Sequence, residues 1–203
     1  VDIGTDTVSA LERALKILPA AEAATEGPPI VVETLTVSRK GVEELVADEI
    51  SSEAYFARHL SYPTWPGGAS GVTIGIGYDL GYRARTSITK DWSPYLPEQT
   101  VYHLRSAAGI RGQDAKGVAR SLKQAGVRVP LEAAKRLFWV VTLPEFAELT
   151  RTTYPGVEDL PPDAQAALLS LIYNRGGSLN GPRRLEMANI KAQVQRKDLE
   201  AIA

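Results

Sequence analysis

Apolar residues recur at helical spacing through most of the chain. The pattern i, i+3, i+4 predicts helices at about 8–24, 38–50, 53–60, 97–108, 113–124, 131–141, 144–153, 163–173 and from 182 onward. Ser38 is a favourable N-cap for the second helix, and Gly176 follows the helix at 163–173 as a C-terminal glycine. The apolar stripe of that helix indicates that it lies at the centre of the core.

Two stretches depart from the helical pattern. Residues 30–37 are compatible with a short strand, and Val72 to Tyr78 alternates between apolar and other residues. One face of this second predicted strand is apolar, while the other carries Thr73, two glycines and Asp79. Glycines at such positions let a ligand approach the backbone closely. The preceding residues, 61–71, are too rich in Pro and Gly for regular structure and form a loop.

Glu49 interrupts the apolar stripe of the helix at 38–50. Val42, Leu45 and Val46 set the stripe, and Glu49 occupies its i+7 position. Burying a carboxyl costs free energy unless the group is paired or functional. Burial also raises the pKa, so that Glu49 would hold a proton near neutral pH. A structural Glu that pairs with an Arg across the core explains the same pattern, and both interpretations stay open.

Other polar residues have ordinary explanations. Glu53 suits the positive start of a helix, and His59 and His103 lack the spacing of a metal site. Trp65, on the loop, could stack on a sugar ring, although Trp is usually buried. The glycines of residues 75–81 lack the spacing of a dinucleotide-binding loop, so we reject a nucleotide-binding site there.

Composition narrows the class of protein. The chain has 203 residues, 44% of them hydrophobic and 23% charged, as in an ordinary globular protein. Its net charge of −1 argues against nucleic acid and anionic membranes as partners, and the lack of Cys excludes a Cys nucleophile and a thiolate metal site. No apolar run reaches about eighteen residues, so we expect no membrane insertion.

We interpret residues 1–37 as an appendage or linker and residues 38–203 as the main domain.

Several motifs resemble those of the bacteriophage-type lysozymes, the muramidases of glycoside hydrolase family 24. The shared order is Asp48-Glu49, then Tyr55, then Thr73-Ile-Gly-Ile-Gly. Residues 132–138 and 160–176 are similar to that family's middle and central helices, and the resemblance covers roughly residues 38–203. The segment 64–81, Thr-Trp-Pro-Gly-Gly-Ala-Ser-Gly-Val-Thr-Ile-Gly-Ile-Gly-Tyr-Asp-Leu-Gly, is also similar to lysozyme-like domains of bacterial antibacterial effectors, including effectors delivered by type VI secretion.

The resemblance implies an α+β fold with a small antiparallel β lobe, a mainly helical lobe and a substrate cleft between them. It implies an inverting glycosidase with Glu49 as general acid and a second carboxylate about 6.5 to 9.5 Å away. The family has an Asp between the catalytic Glu and the Thr, where this chain offers only Glu53. We assign the role of that second carboxylate to Asp79, and we expect Thr73 to help hold the attacking water. The family also has His where this chain has Tyr78.

The resulting hypothesis is a muramidase that cuts the β-1,4 bond between N-acetylmuramic acid and N-acetylglucosamine in peptidoglycan. Substrate binding is assigned to Trp65, Ser70, Tyr78 and Asn174, although capping also explains Asn174. We expect no cofactor or metal. The expected partners are glycan strands and an immunity protein, and the expected location is the bacterial periplasm or cell wall, reached by secretion or delivery within a larger polypeptide. The alternatives are a glycosidase acting on chitin or chitosan, and an inactive lysozyme-like module that only binds cell wall or a partner protein.

Overall fold

A β-hairpin opens the part of the chain that the computed structural model describes, residues 27–202. Strand β1 (Ile30–Val32) pairs antiparallel with β2 (Leu35–Val37). The side chains of Leu35 and Val37 are completely buried, and the Thr36 backbone N–H donates to Gln165 Oε1 at 2.7 Å. Residues 30–37 therefore belong to the main core, and the domain boundary predicted at residue 37 lies too far along the chain. The helix predicted at 8–24 lies outside the described residues.

Helices make up most of the remaining structure. They are α1 (Arg39–Ile50), α2 (Glu53–Tyr55), α3 (Arg85–Trp92), α4 (Glu98–Arg105), α5 (Gln113–Gln124), α6 (Leu131–Leu137), α7 (Leu143–Thr153), α8 (Pro162–Arg175), α9 (Leu185–Arg196) and α10 (Leu199–Ile202). Wider π-helical turns extend α2 through Phe56–Leu60 and join α6 to α7 through Phe138–Thr142. The helix predicted from residue 38 is confirmed, since the Ser38 Oγ accepts the Gly41 N–H at the start of α1.

The predicted strand from Val72 to Tyr78 is in fact a second hairpin. Strand β3 (Thr73–Ile74) pairs antiparallel with β4 (Tyr78–Asp79), and Thr73 lies directly opposite Asp79. Gly75 and Gly77 turn the chain with φ values of +65° and +69°, a region that glycine adopts without strain. The apolar residues of this segment are buried as the alternation predicted, so the side-chain directions were right and the single strand was wrong.

Helix α8 lies at the centre of the core, as predicted. It packs against β2, α1 and α7, and its Leu169 and Ile172 are completely buried. The fold class is confirmed as α+β, with two small antiparallel hairpins beside a mainly helical body. No helix within residues 27–202 has the length and apolar character needed to cross a lipid bilayer.

Candidate active site

Glu49 lies in the last turn of α1 and lines a cavity of about 250 Å³. The helix buries Val42 and Leu45, so the position one turn beyond them carries the Glu49 carboxyl to the edge of the core, where it is half-buried. The rest of the lining comes from the loop after α2 and from the second hairpin. Its remaining lining residues are Leu60, Thr64, Pro66, Thr73, Ile74, Gly75 and Gly77. The predicted loop of residues 61–71 and the predicted strand from Val72 to Tyr78 thus both contribute to the wall beside Glu49.

The pKa of Glu49 is raised above its ordinary value of 4.5. Burial is the largest cause because it disfavours the charged form, and the neighbouring Asp48 carboxylate adds repulsion in the same direction. The Tyr173 hydroxyl acts against both by stabilising the ionised form of Glu49. The net effect is a carboxyl that holds its proton at higher pH than a solvated Glu does.

The Tyr173 hydroxyl reaches this site from α8, more than one hundred residues along the chain. The hydroxyl is buried next to Glu49; burial is the main reason that the pKa of Tyr173 is raised, and the Glu49 carboxylate raises it further. The contact falls short of a well-formed hydrogen bond, because the hydroxyl has no partner of good geometry within residues 27–202. We regard it as a close polar contact that favours the charged form of Glu49.

Gly77 allows this approach of Tyr173 to the hairpin. A Cβ atom at Gly77 would lie 2.1 Å from the Tyr173 hydroxyl oxygen, far inside contact distance. The positive φ of Gly77 adds a second reason for glycine at this position. A side chain at residue 77 would therefore force Tyr173 or the β3–β4 turn to shift.

Asp79 lies opposite Thr73 in the hairpin, but the carboxylate of Asp79 does not line the cavity. It accepts the backbone N–H of Gly71 at 3.0 Å and the N–H of Gly81 at 2.8 Å. These bonds fix the loop entering the hairpin and the 3₁₀ turn leaving it (Leu80–Tyr82). Thr73 is different, because it lines the cavity together with Glu49.

The residues predicted to bind substrate are spread over three environments. Trp65 and Ser70 lie in the loop of residues 61–71, where Trp65 Nε1 donates to the Ser70 carbonyl at 3.1 Å. Tyr78 is only 1% exposed, and its hydroxyl donates to Asp91 at 2.7 Å inside the core. Asn174 is exposed at the end of α8, and its amide donates to the Ser170 carbonyl. The structure therefore brings none of the four to the lining of the Glu49 cavity, although Trp65 lies between two lining residues.

A larger cavity of about 430 Å³ lies against the turn of residues 56–60. Its lining comprises Glu53, Phe56, Ala57, Ser61, Arg128, Val129, Pro130 and Leu131. Volume alone favours this cavity as a binding site. Its carboxylate, Glu53, is exposed at a helix start, whereas Glu49 is half-buried with a raised pKa. Chemistry therefore favours the smaller cavity as the reactive one.

Tyr173 was not predicted as a site residue. Its place at the end of an apolar helix made it look like another core aromatic, and nothing in local spacing indicates a contact with Glu49. The exposed cations on α5 were not predicted either, although their spacing of three to four residues is visible in the sequence.

Fold and site together define a small α+β domain that holds a protonatable carboxyl beside a glycine-rich hairpin. The chain belongs to the family described as "Domain of unknown function (DUF8812)", whose match covers residues 35–153. That range includes α1, both strands of the second hairpin and α5, and it ends before Tyr173. No curated protein matches the chain.

Proposed function

We propose that this protein is a muramidase that hydrolyses the β-1,4 bond between N-acetylmuramic acid and N-acetylglucosamine in peptidoglycan. The observation that carries the proposal is the half-buried Glu49 carboxyl, which lines a cavity beside the Thr73-Ile-Gly-Ile-Gly hairpin and has a raised pKa. The likeness to the bacteriophage-type lysozymes supports the substrate class. Peptidoglycan lies in the periplasm and cell wall, so we place the activity there, after delivery as part of a larger polypeptide.

Glu49 suits the role of general acid. Glycoside hydrolysis needs a carboxylic acid that protonates the leaving oxygen while the bond from the anomeric carbon breaks. A carboxyl with a raised pKa keeps its proton to higher pH than a solvated Glu does and can therefore act as this acid, and the Tyr173 hydroxyl then stabilises the carboxylate left behind. The proton moves from Glu49 to the leaving sugar, and the carboxylate regains a proton from solvent before the next cycle.

Thr73 is our choice for the group that holds the attacking water. Thr73 lines the same cavity as Glu49 and carries a hydroxyl that can bind water. Water adds to the anomeric carbon, and its proton leaves to solvent. We assign Asp79 to holding the hairpin, since its carboxylate already accepts the backbone N–H groups of Gly71 and Gly81.

Release of reducing sugar ends from purified sacculi tests the proposal. We expect Glu49→Gln to lower the rate by about 10² to 10⁴, the usual contribution of general acid catalysis. Glu44→Gln is the matched control, because Glu44 lies on the same helix with 65% of its side chain exposed. Equal activity of the wild type and Glu49→Gln would contradict the site assignment.

One observation favours a second candidate, an inactive wall-binding or partner-binding module. The only other carboxylate that we considered for catalysis, Asp79, is occupied by backbone donors. Such a module would sediment with sacculi and release no new reducing ends. A glycosidase that acts on chitin or chitosan would use the same mechanism on a different polymer. Comparing the rates on peptidoglycan, chitin and chitosan distinguishes this alternative from the muramidase proposal. An immunity protein that fills the Glu49 cavity is the protein partner that the muramidase proposal implies.

A further inference from the structure

Five exposed cations on α5 and in the segments on either side of it form a surface that we call the basic strip. They are Arg111, Lys116, Arg120, Lys123 and Arg128. From Arg105 to Arg128 the sequence has six Lys and Arg residues and one carboxylate, Asp114, although the whole chain has a net charge of −1. None of the five forms an ion pair with any carboxylate of residues 27–202.

Helix α5 places the middle of the strip on one face. Lys116, Arg120 and Lys123 are spaced i, i+4, i+7, and each follows a residue that α5 buries against the core. The three cations therefore run along the boundary between the buried and exposed sides of α5. They extend over roughly 10 Å of helix axis at 1.5 Å per residue.

Aromatic rings of the neighbouring loops hold most of these cations in place. Lys116 lies 5.9 Å from the centre of the Trp65 ring, and Arg111 lies 4.9 Å from that of Tyr82. These contacts reduce the number of conformations that a long side chain can occupy, so less entropy is lost when the cation binds an anion.

Tyr62 holds two cations at once. Lys123 Nζ and Arg128 Cζ are each 4.9 Å from the centre of its ring. The two charges are therefore within about 10 Å of each other, a separation at which like charges still repel at moderate salt. Arg128 Nη2 also donates to the Ala57 carbonyl at 3.3 Å, which leaves further N–H groups of the guanidinium for a ligand. An anion bound beside both charges would relieve their repulsion, so the pair is suited to an anionic ligand.

The loop of residues 61–71 borders the Glu49 cavity and also contacts three cations of the basic strip. Thr64 and Pro66 line the cavity, while Trp65 between them carries Lys116 over its ring. A polymer that passes through the cavity can therefore touch the strip with groups that branch from it. A plain glycan of N-acetylated sugars is neutral, whereas peptidoglycan carries peptide branches that end in carboxylates.

We propose that the basic strip is a binding surface for the carboxylates of the peptide branches of peptidoglycan. This inference rests on the proposed function for its substrate and adds the part of the substrate that is recognised. It favours peptidoglycan over chitin, because chitin has no anionic branches for the strip to bind.

Binding of the Glu49→Gln protein to purified sacculi tests this, since the polymer is then not digested during the measurement. Adding Lys116→Gln, Arg120→Gln and Lys123→Gln is expected to weaken binding about tenfold, because each exposed charge contact contributes modestly. Arg85→Gln, Lys90→Gln and Arg196→Gln together are the matched control, because they remove the same charge from exposed positions on α3 and α9. We expect the control to bind like its parent, and binding of the parent to weaken between about 50 mM and about 500 mM salt.

Several results would overturn the inference. Equal weakening in the control would show a general effect of net charge, and equal weakening on chitin would show a structural role. Loss restricted to walls that carry phosphodiester polymers would point to phosphate as the ligand. Tighter binding of a single-stranded oligonucleotide than of sacculi would point to nucleic acid.

Binding of the parent that does not depend on salt would overturn the inference even if the triple variant failed to fold. Failure of hydrolysis with the expected binding pattern would contradict only the proposed function.

Discussion

Replacing Glu49 with Gln should stabilise the folded protein at neutral pH. The pKa of Glu49 in the folded chain is raised above its ordinary value, so ionising this carboxyl costs more free energy in the folded state than in the unfolded state. The wild type therefore loses stability as the pH rises from the pKa of Glu49 in the unfolded chain through its higher pKa in the folded chain. Gln does not ionise, and the variant avoids this loss.

The size of the effect follows from how Glu49 is placed. A fully buried, unpaired charge costs several kcal/mol. Glu49 is only half-buried, and the Tyr173 hydroxyl favours its ionised form, so we expect a gain of about 1 kcal/mol in the free energy of unfolding at pH 7. In a chain of this length that corresponds to a rise in Tm of about 2–4 °C.

Urea unfolding of the wild type and Glu49→Gln at several pH values measures this. The variant should be more stable at pH 7, and the difference should shrink toward zero as the pH falls below about 4, where the carboxyl is protonated in both states. Glu44→Gln, at an exposed position of the same helix, should change stability by less than about 0.5 kcal/mol at any pH. A Glu49→Gln variant less stable than the wild type at pH 7, or a gain independent of pH, would refute the reasoning.

Three further substitutions test the contacts around the cavity. Tyr173→Phe removes the hydroxyl that lowers the pKa of Glu49, so the alkaline limb of the pH–activity profile should move to higher pH; an unmoved limb would contradict the contact. Gly77→Ala should destabilise the protein by about 1–3 kcal/mol in urea unfolding, since it combines a positive φ with a clash. Adding Tyr173→Phe should restore part of that loss, and strict additivity would argue against the clash. Asp79→Asn keeps an acceptor for the backbone N–H groups and should keep at least about a tenth of the activity, whereas a loss above about a hundredfold would indicate direct catalysis by Asp79.

Regular amphipathic segments could be predicted well from the sequence. Helix α5 has the predicted bounds, Gln113–Gln124, because its buried residues repeat with helical spacing between residues that favour helix ends. Helix α3 was missed because only Ile88 and Trp92 of its eight residues are buried, and two apolar positions are too few to show a period. Long-range packing stabilises a helix that local pattern does not reveal.

The hairpin and the site show a different limit. Alternation predicted which residues of 72–78 are buried, but a tight glycine turn preserves that alternation, so the pattern could not distinguish one strand from two. Glu49 could be proposed as a site residue because a carboxyl on an apolar stripe is unusual within its own helix. Its contact with Tyr173 depends on how α1 and α8 pack, and no local signal marks it.

Mass spectrometry of sacculi digested by the wild-type protein tests the central claim most directly, because the sugar at each new end identifies the bond that was cut. We predict fragments that end in reducing N-acetylmuramic acid, produced by the wild type and not by Glu49→Gln. Ends of N-acetylglucosamine, anhydro sugar ends, or an intact glycan in the presence of folded wild-type protein would contradict the proposed muramidase activity.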